Sequence, residues 1–450
     1  MHDTFYLYHV DNAWEVAKTY YYIKLGITED VLFRSIDAPD RIQLFCKGFY
    51  FLLGNTLELF GWTKSNALWF SSFFLWLTSL VWFFILRSLH FSKKVAGTFS
   101  FLMLLYPAFF SAAHLARADT LALCAASFGF LLFIHRRYIL ACFVVMVAFE
   151  FHVMGSIGAF YILAFVLDQR KYFFSKKNLA LKVLTQCLIG VLLGSIYYYI
   201  MHMDVLSFEL LHTILSIKKQ MPNPLKNYLI SYFIHDRWFV HIFEFFVIVV
   251  SIRFFIFRKL YQNNSFVGTF MLVLIVSSFI TQRPNKHYMV FAFPAFLLAI
   301  VYTFESMKRT KELVATSLVL IFSVNAYLYI QNRNYDFEKL TKEIQLHTPK
   351  KNQVIVGMPD NWFGAVGREF YPIYHSVTYL YDLDFPEIYL IKNDYISRHS
   401  KNYKPLVSYY LTHYNCRPTH QIDAGENRNV EIFDCSRNPK LDLSRKATLQ

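Results

Sequence analysis

An arginine and an aspartate lie two residues apart where one apolar run ends and the next begins. The run 95–112 precedes Arg117 and Asp119, and the run 121–134 follows them. Charges at membrane depth are costly and usually functional, and the planar fork of an arginine suits two phosphate oxygens. Asp119 has a structural alternative, because Asp before Thr-Leu-Ala is a good helix N-cap. We take this element as the first candidate site.

Other polar side chains stand out in the same way. Asp11 and Glu15 share one face of a predicted amphipathic helix at i, i+4 spacing. His152 interrupts an apolar stretch, where a satisfied interior histidine is the alternative. A tight turn between two apolar runs carries a final set of candidates: Arg283, Lys286, His287 and Tyr288. Interfacial anchoring to headgroups is the alternative for that turn.

The composition indicates the scaffold that must position these groups. The 450 residues are 55% hydrophobic and 19% aromatic, with 15 Gly and 13 Pro, which is typical of a polytopic membrane protein. A helix needs about 20 apolar residues to cross the hydrocarbon layer. Counting the shorter run 121–134, we predict an all-α polytopic membrane protein with about nine to eleven membrane segments. The longest apolar runs are 67–86, 95–112, 179–201, 239–257, 265–280, 288–304 and 313–330.

The net charge of +14 has two interpretations, nucleic-acid binding or membrane topology. The basic residues cluster in short alternate loops, which favours topology and no nucleic acid. These loops hold Lys94, Arg137, Lys177 and Lys308, and the positive-inside rule assigns them to the cytoplasm. Arg117, His152 and Lys286 then face outward, on one side of the membrane.

The segment 139–167 tests this map. It is too long for one upright helix and barely long enough for two. A single crossing would invert every later loop, including the cluster at Arg170. We therefore predict a pair of short helices with His152 near the outer turn.

The map places both ends of the chain outside. Residues 1–66 form an extracytoplasmic loop with amphipathic helices, 67–331 the transmembrane domain, and 332–450 an extracytoplasmic domain. An outward start needs a translocating segment, so we expect a spanning helix before Met1. The last domain mixes a helical segment, 337–347, with strand-like segments, which indicates a small α/β domain. The strand-like segments are 354–357, 377–381, 387–391 and 430–433.

Cysteine, histidine and glycine patterns narrow the chemistry. Cys416 and Cys435 fall in the outward domain, where pairing and free thiols both remain open. The 16 histidines are scattered and no CxxC occurs, so we predict no metal site. No phosphate-binding glycine motif is present, which argues against an ATP-driven pump.

The order of these elements resembles the C-type glycosyltransferases of the protein O-mannosyltransferase and aminoarabinose-transferase group. The resemblance rests on Asp11 in Val-Asp-Asn-Ala-Trp, the Arg117-x-Asp119-x-Leu-Ala element, the outward His152, the turn 283–288 and the outward C-terminal domain. Two features depart from the family: no spanning helix precedes Asp11, and Asn12 stands where a second acidic residue is common.

The resemblance implies a sugar donor on a polyprenyl phosphate and transfer at the outer face, usually with inversion. A carboxylate would take the acceptor's proton, and fixed cations would stabilise the departing phosphate. Asp11 is then the candidate base, with Glu15 next, and Arg117, Lys286 and His287 are the phosphate-binding candidates. Asp119, His152, Arg283 and Tyr288 complete the substrate site.

The expected partners are the bilayer, the donor and a lipid, glycan or protein acceptor. The expected location is the bacterial inner membrane, with the site facing outward. No cofactor is predicted, and a divalent cation is left open. The alternative is a transporter or lipid-linked-sugar flippase. Transporters tend to have internal repeats and midplane sites, whereas here the polar residues concentrate at one face without a repeat.

Overall fold

The computed structural model describes residues 10–28, 46–174, 177–203, 265–281, 289–332, 336–373, 385–393, 403–423 and 429–437. The chain divides into two compact units. We call Phe45–Leu52 with Leu68–Tyr327 the helical unit, and Met1–Leu44 with Leu53–Ala67 and Leu328–Gln450 the mixed unit.

The helical unit is built from helices, some of which end in residues of the mixed unit. In chain order they are α2 (Lys47–Phe60), α3 (Lys64–Ser88), α4 (Lys93–Leu105), α5 (Pro107–Ala113), α6 (Asp119–Ile134), α7 (Tyr138–Phe151), α8 (Ile157–Asp168), α9 (Arg170–Phe174), α10 (Lys177–His202), α11 (Ser265–Thr281), α12 (Met289–Ser306) and α13 (Thr310–Asn332). The helix α1 (Val10–Leu25) belongs to the mixed unit. The predicted span 239–257 lies outside the described residues.

Two of the described helices, α3 and α10, are long and apolar enough to cross a bilayer. Five shorter apolar helical stretches accompany them: Asp119–Ile134, Tyr138–Phe151, Val153–Asp168, Ser265–Leu274 and Phe293–Ser306. The predicted helical character is confirmed, whereas the number of spans stays a prediction.

Helix α3 carries a stripe of large apolar side chains that are substantially exposed within the described part of the chain. Its members are 41–58% exposed and recur every three or four residues, so they share one helical face. A contiguous apolar surface of this size is unusual on a water-soluble protein and is typical of a surface that contacts lipid. The stripe consists of Trp69, Phe73, Trp76, Leu80 and Phe84.

The predicted span 95–112 is broken, so this prediction was wrong. Helix α4 ends at Leu105, and α5 begins at Pro107. Tyr106 between them is extended, with φ −66° and ψ 133°. Proline disfavours the helical conformation of the residue before it, which explains the break.

The helix pair predicted over 139–167 is confirmed. Helix α7 ends at Phe151, His152 is extended, and a 3₁₀ turn over Val153–Ser156 leads into α8. Gly158 lies close to the neighbouring helices. A Cβ added to Gly158 would lie 2.9 Å from Val145 Cγ2 and 3.2 Å from Ala126 Cβ. The absence of a side chain at Gly158 therefore lets α6, α7 and α8 approach closely.

Contacts at one end of the helical unit test which loops share a side. Lys94 Nζ lies 2.7 Å from Glu305 Oε2, three residues before Lys308. Ser88 Oγ lies 3.2 Å from His135 Nε2, beside Arg137. These contacts bring three of the basic loops together, as the charge pattern predicts. Which end faces the cytoplasm stays a prediction.

The core of the helical unit is aromatic, with two of its polar groups paired. Trp82 is fully buried, and its Nε1–H donates to Ser127 Oγ at 2.9 Å. The Tyr161 hydroxyl donates to the carbonyl of Phe291 at 2.6 Å. Buried hydrogen bonds of this kind fix the register of the helices. A shifted helix would leave a buried donor or acceptor unpaired, and its desolvation would then not be offset.

The mixed unit contains a five-stranded sheet of order β2-β1-β3-β5-β4. Strand β1 pairs in parallel with β2 and β3, and β5 pairs antiparallel with β3 and β4. The helices α14 and α15 belong to the same unit. The elements are α14 (Phe337–His347), β1 (Val354–Gly357), β2 (Phe370–Pro372), β3 (Glu387–Asn393), α15 (Tyr403–His413), β4 (Tyr414–Asp423) and β5 (Asn429–Arg437).

The predicted helix 337–347 and the strands near 354, 387 and 430 are confirmed in this sheet. The strand-like segment 377–381 lies outside the described residues. Cys416 and Cys435 pair across β4 and β5 as a disulfide, which answers the question that the sequence left open.

The N-terminal helix α1 packs within the mixed unit. Its Tyr20 ring meets the rings of Trp62 and Trp362 edge to face, at centroid distances of 4.9 and 5.8 Å. Lys24 Nζ lies 2.8 Å from Glu58 of α2. The start and the end of the chain thus share one compact unit.

Candidate functional site

Arg117, Asp119 and His152 come together in the helical unit. Asp119 Oδ2 lies 2.8 Å from Arg117 Nε, and its Oδ1 lies 3.8 Å from His152 Nε2. The Asp119 side chain is only 1% exposed, whereas those of Arg117 and His152 are 12% and 15% exposed. The aspartate is therefore the buried centre of the cluster, and the two nitrogen-bearing side chains lie nearer the surface.

Asp119 does not cap helix α6. The N-cap position is Ala118, no side-chain hydrogen bond caps the helix, and Asp119 is its first residue. The capping alternative was therefore wrong. The carboxylate instead faces the guanidinium of Arg117, two residues earlier in the chain. Its position in the first turn still places negative charge near the positive end of the helix dipole.

The ring of His152 is oriented from two directions. Its Nδ1 accepts the backbone N–H of Met154 at 3.1 Å. In the neutral ring the proton must then lie on Nε2, the atom that faces Asp119. The ring also stacks on Phe291 of α12, with centroids 5.8 Å apart and planes 12° apart. The structure thus fixes both the tautomer and the plane of this histidine.

The chain around His152 can fold this way because Gly155 lacks a side chain. A Cβ at this position would lie 2.0 Å from the carbonyl oxygen of Ala148 and 2.9 Å from the nitrogen of Phe149. Both are backbone atoms, so the turn would have to move. Gly155 therefore allows the close contact between the 3₁₀ turn and α7 that places His152 beside Asp119.

The two predicted catalytic carboxylates lie on α1. Asp11 is the second residue of this helix, and its side chain lies outside the described part. Glu15 Oε1 lies 3.2 Å from Lys18 Nζ, which also lies 4.0 Å from the centre of the Trp14 ring. The predicted helix is confirmed, whereas its amphipathic character and the catalytic roles stay predictions.

The remaining predicted site residues belong to the basic turn 283–288. The residues Arg283, Lys286, His287 and Tyr288 lie outside the described residues. Their predicted role in binding the donor phosphate stays a prediction.

The structure also reveals a buried acid that the sequence analysis did not assign. Glu150 is 1% exposed and accepts the backbone N–H of Gly48 at 2.8 Å. Its Oε1 lies 3.5 Å from Nε2 of His202, which is 2% exposed. A glutamate within an apolar helix is a sequence signal for a functional or paired acid. Its partners could not be identified from the sequence, because they lie about 50 and 100 residues away in the chain.

A second buried acid lies in the mixed unit. Asp360 is 7% exposed, and its burial raises its pKa to about 7, against the opposing effect of the charge on Lys64. Its Oδ1 has no hydrogen-bond partner among the described residues. A carboxyl in this state keeps a proton at a pH where an exposed aspartate is ionised.

The Arg117–Asp119–His152 cluster has the chemistry of an anion-binding element. The carboxylate of Asp119 is buried between a guanidinium and an imidazole and faces both of them. It is well suited to hold the two nitrogen-bearing side chains in place. A guanidinium fixed in this way can bind phosphate or carboxylate oxygens with little loss of side-chain entropy.

No family model matches this chain, and no curated protein matches it. Its fold is similar to that of ArnT from Cupriavidus metallidurans, at 11% identity over 94% of this chain and 93% of that chain. The TM-scores are 0.55 for ArnT in the apo state and 0.56 for ArnT bound to undecaprenyl phosphate. An apo oligosaccharyltransferase from Archaeoglobus fulgidus matches 96% of this chain and 71% of that chain, at 11% identity and a TM-score of 0.48.

Proposed function

We propose that this chain, which has the fold of the C-type glycosyltransferase ArnT, is an integral-membrane glycosyltransferase. It transfers a sugar from a polyprenyl-phosphate donor to a lipid, glycan or protein acceptor at the outer face of the membrane, with inversion. The observation that carries the proposal is the match with ArnT over nearly the whole of both chains. The structure of ArnT bound to undecaprenyl phosphate supports the donor class.

The exposed apolar surface supports a membrane location. The stripe on α3 is one part of it, and α10 exposes Leu181, Leu184, Leu188 and Leu192 by 56–62% each. In a lipid bilayer these apolar side chains are not exposed to water, so the unfavourable free energy of their hydration does not arise. We place the protein in the bacterial inner membrane, with the Arg117 cluster and the C-terminal domain outward, as the loop charges require.

The cluster supports a division of labour within the active site. Arg117 binds the donor phosphate and stabilises the charge that grows as the glycosidic bond breaks. Asp119 and His152 act as positioning residues that hold the guanidinium and the adjacent turn. The phosphate site is completed in this proposal by residues of the turn predicted before α12: Arg283, Lys286, His287 and Tyr288.

The base comes from α1 in this proposal. Asp11 takes the proton of the acceptor hydroxyl as that oxygen attacks the anomeric carbon, and the polyprenyl phosphate leaves. Glu15 lies one helical turn further along and is the next candidate.

The experiment uses purified protein in proteoliposomes with a radiolabelled polyprenyl-phosphate sugar. Donor binding and release of free lipid phosphate are followed separately. Arg117→Lys keeps the charge but loses the fork, so donor consumption should fall at least tenfold. Arg170→Lys, an exposed arginine of α9, is the matched control and should behave like the parent. Asp11→Asn should bind donor and reduce turnover about 10²- to 10⁴-fold.

Two outcomes would contradict the proposal. If Arg117→Lys binds and consumes donor like the parent, the phosphate-binding role of Arg117 is wrong. If the parent never consumes any such donor but moves lipid-linked sugar between leaflets, the protein is a flippase.

A further inference from the structure

Three side chains that are far apart in the sequence converge in the mixed unit. Glu343 Oε2 lies 3.2 Å from Nε2 of His347 and 3.1 Å from Nε2 of His420. One ligand atom from each residue lies within 4.8 Å of the other two. The two imidazole rings stack with centroids 3.4 Å apart, so both Nε2 atoms face the same carboxylate oxygen. This cluster is separate from the residues assigned to sugar transfer.

The fold builds the cluster on two anchored elements. Glu343 and His347 are four residues apart on α14, so they lie on one face of that helix. Asp336 caps α14 by accepting the N–H of Lys339 at 2.8 Å. The buried side chains of Leu340 and Ile344, which neighbour Glu343 and His347 on the helix surface, anchor α14 in the core. Two of the three groups are therefore presented by a capped and packed helix.

A β-bulge positions the third group. The register of β4 against β5 shifts between Pro418 and His420, so that His420 rather than Thr419 lies opposite Ile432. The Thr419 hydroxyl donates to the carbonyl of Ile432 at 3.1 Å. Bulges re-aim side chains and often occur next to functional sites. In regular pairing without the bulge, His420 would lie one position further along β5 and would point to the other face of the sheet, away from Glu343.

The spacing of the three groups fits a small divalent ion. Zinc binds imidazole nitrogen and carboxylate oxygen at about 2.0–2.2 Å in tetrahedral sites, which puts neighbouring ligand atoms about 3.3–3.5 Å apart. The Glu343–His347 and Glu343–His420 distances come within a few tenths of an ångström of that edge. Because the stacked rings direct their Nε2 lone pairs nearly parallel, both rings must rotate substantially before the lone pairs converge on one ion.

We propose that Glu343, His347 and His420 bind one Zn²⁺ or a similar borderline transition-metal ion, with water in the remaining position. Two imidazoles and one carboxylate select such metals over Mg²⁺ and Ca²⁺, which take oxygen ligands. The side chains are 28–32% exposed, so an ion can enter from solvent without unfolding the domain. The ion links α14 to β4, two elements that are 77 residues apart at Glu343 and His420.

The test uses the full chain in detergent, purified with an affinity tag that contains no histidine. After chelator treatment and buffer exchange, zinc binding is measured by calorimetry and metal analysis, with Co²⁺ as a spectroscopic probe. The parent should bind one equivalent more than the double variant His347→Ala/His420→Ala. Its unfolding temperature should rise with Zn²⁺ and not with Mg²⁺. Glu343→Gln nearly keeps the shape and should weaken binding at least tenfold.

His413→Ala is the matched control, because His413 also ends a helix of this domain but stacks on Tyr409 instead. It should bind zinc like the parent. Thermal unfolding without metal identifies a variant that has failed to fold, and Glu343→Gln then decides alone. Equal zinc stoichiometry and affinity in the parent and the folded cluster variants would overturn the proposal.

Discussion

Asp119 is the residue whose removal should be most informative in the helical unit. Asp119→Asn leaves Arg117 facing a neutral amide at a position where the carboxylate was 1% exposed. Removing one partner of a buried ion pair typically costs about 3–5 kcal/mol, because the remaining charge loses an attraction that offset its desolvation. At about 2 °C per kcal/mol, the lower end of the scale for a unit of this size, the unfolding temperature should drop by about 6–10 °C.

A second variant separates stability from function. Arg117→Met/Asp119→Leu replaces both charges with apolar groups of similar volume, which often leaves stability unchanged or raises it. The double variant should therefore unfold near the parent temperature. It should not bind a polyprenyl-phosphate donor, because it has lost the guanidinium. Recovery of stability without recovery of donor binding would show that the pair is retained for recognition.

The assay is thermal unfolding in one detergent at fixed protein concentration, followed by donor binding on the same samples. Arg170→Lys again serves as the control. An Asp119→Asn variant that unfolds within 1–2 °C of the parent, on the scale used above, would refute the reasoning. The pair would then not be a buried ion pair in the working protein.

Three further changes have defined outcomes. Gly155→Ala should disrupt the His152 turn and lower both stability and donor consumption, whereas Gly97→Ala, with nothing within 4 Å of the new Cβ, should be neutral or slightly stabilising in both assays. Asp360 binds its proton more tightly in the folded protein than in the unfolded protein, so the free energy of unfolding should fall as the pH rises from about 4 to about 7. In denaturation experiments at several pH values, Asp360→Asn should be more stable than the parent by a few kcal/mol above pH 7. This difference should disappear towards pH 4. Cys435→Ser should cost about 3 kcal/mol from the 19-residue separation, measured by unfolding with and without reductant, and reductant should affect only the parent.

Local signals in the sequence predicted much of the fold. The apolar length of 139–167 required two helices, and the structure has α7 and α8 there. The helix predicted over 337–347 has both of its ends where the structure places them, and Asp336 caps its start. Apolar length alone predicts one span over 95–112, whereas the restriction that Pro107 places on Tyr106 is the local signal that accounts for the break.

The part of the site that depends on long-range pairing was harder to predict. Arg117 and Asp119 were found together because they are neighbours in the chain, and the charge map placed His152 on their side. The partners of Glu150 could not be found in this way, because they lie on α2 and α10. The Glu343–His420 contact depends on a bulge, and one inserted residue in a strand leaves no local pattern. Scattered histidines are therefore poor evidence against a metal site.

The short helices around the Arg117 cluster give the protein a preferred bilayer thickness. Helices α6, α7 and α8 have 16, 14 and 12 residues. At 1.5 Å per residue they extend about 24, 21 and 18 Å, against about 30 Å of hydrocarbon in an average membrane. On the proposed function, the lipid near them must thin or the cluster must lie below the headgroups. Either response brings the phosphate of a membrane-bound donor down to the guanidinium. The acyl chain length of the surrounding lipid thereby becomes a determinant of how readily the donor is bound.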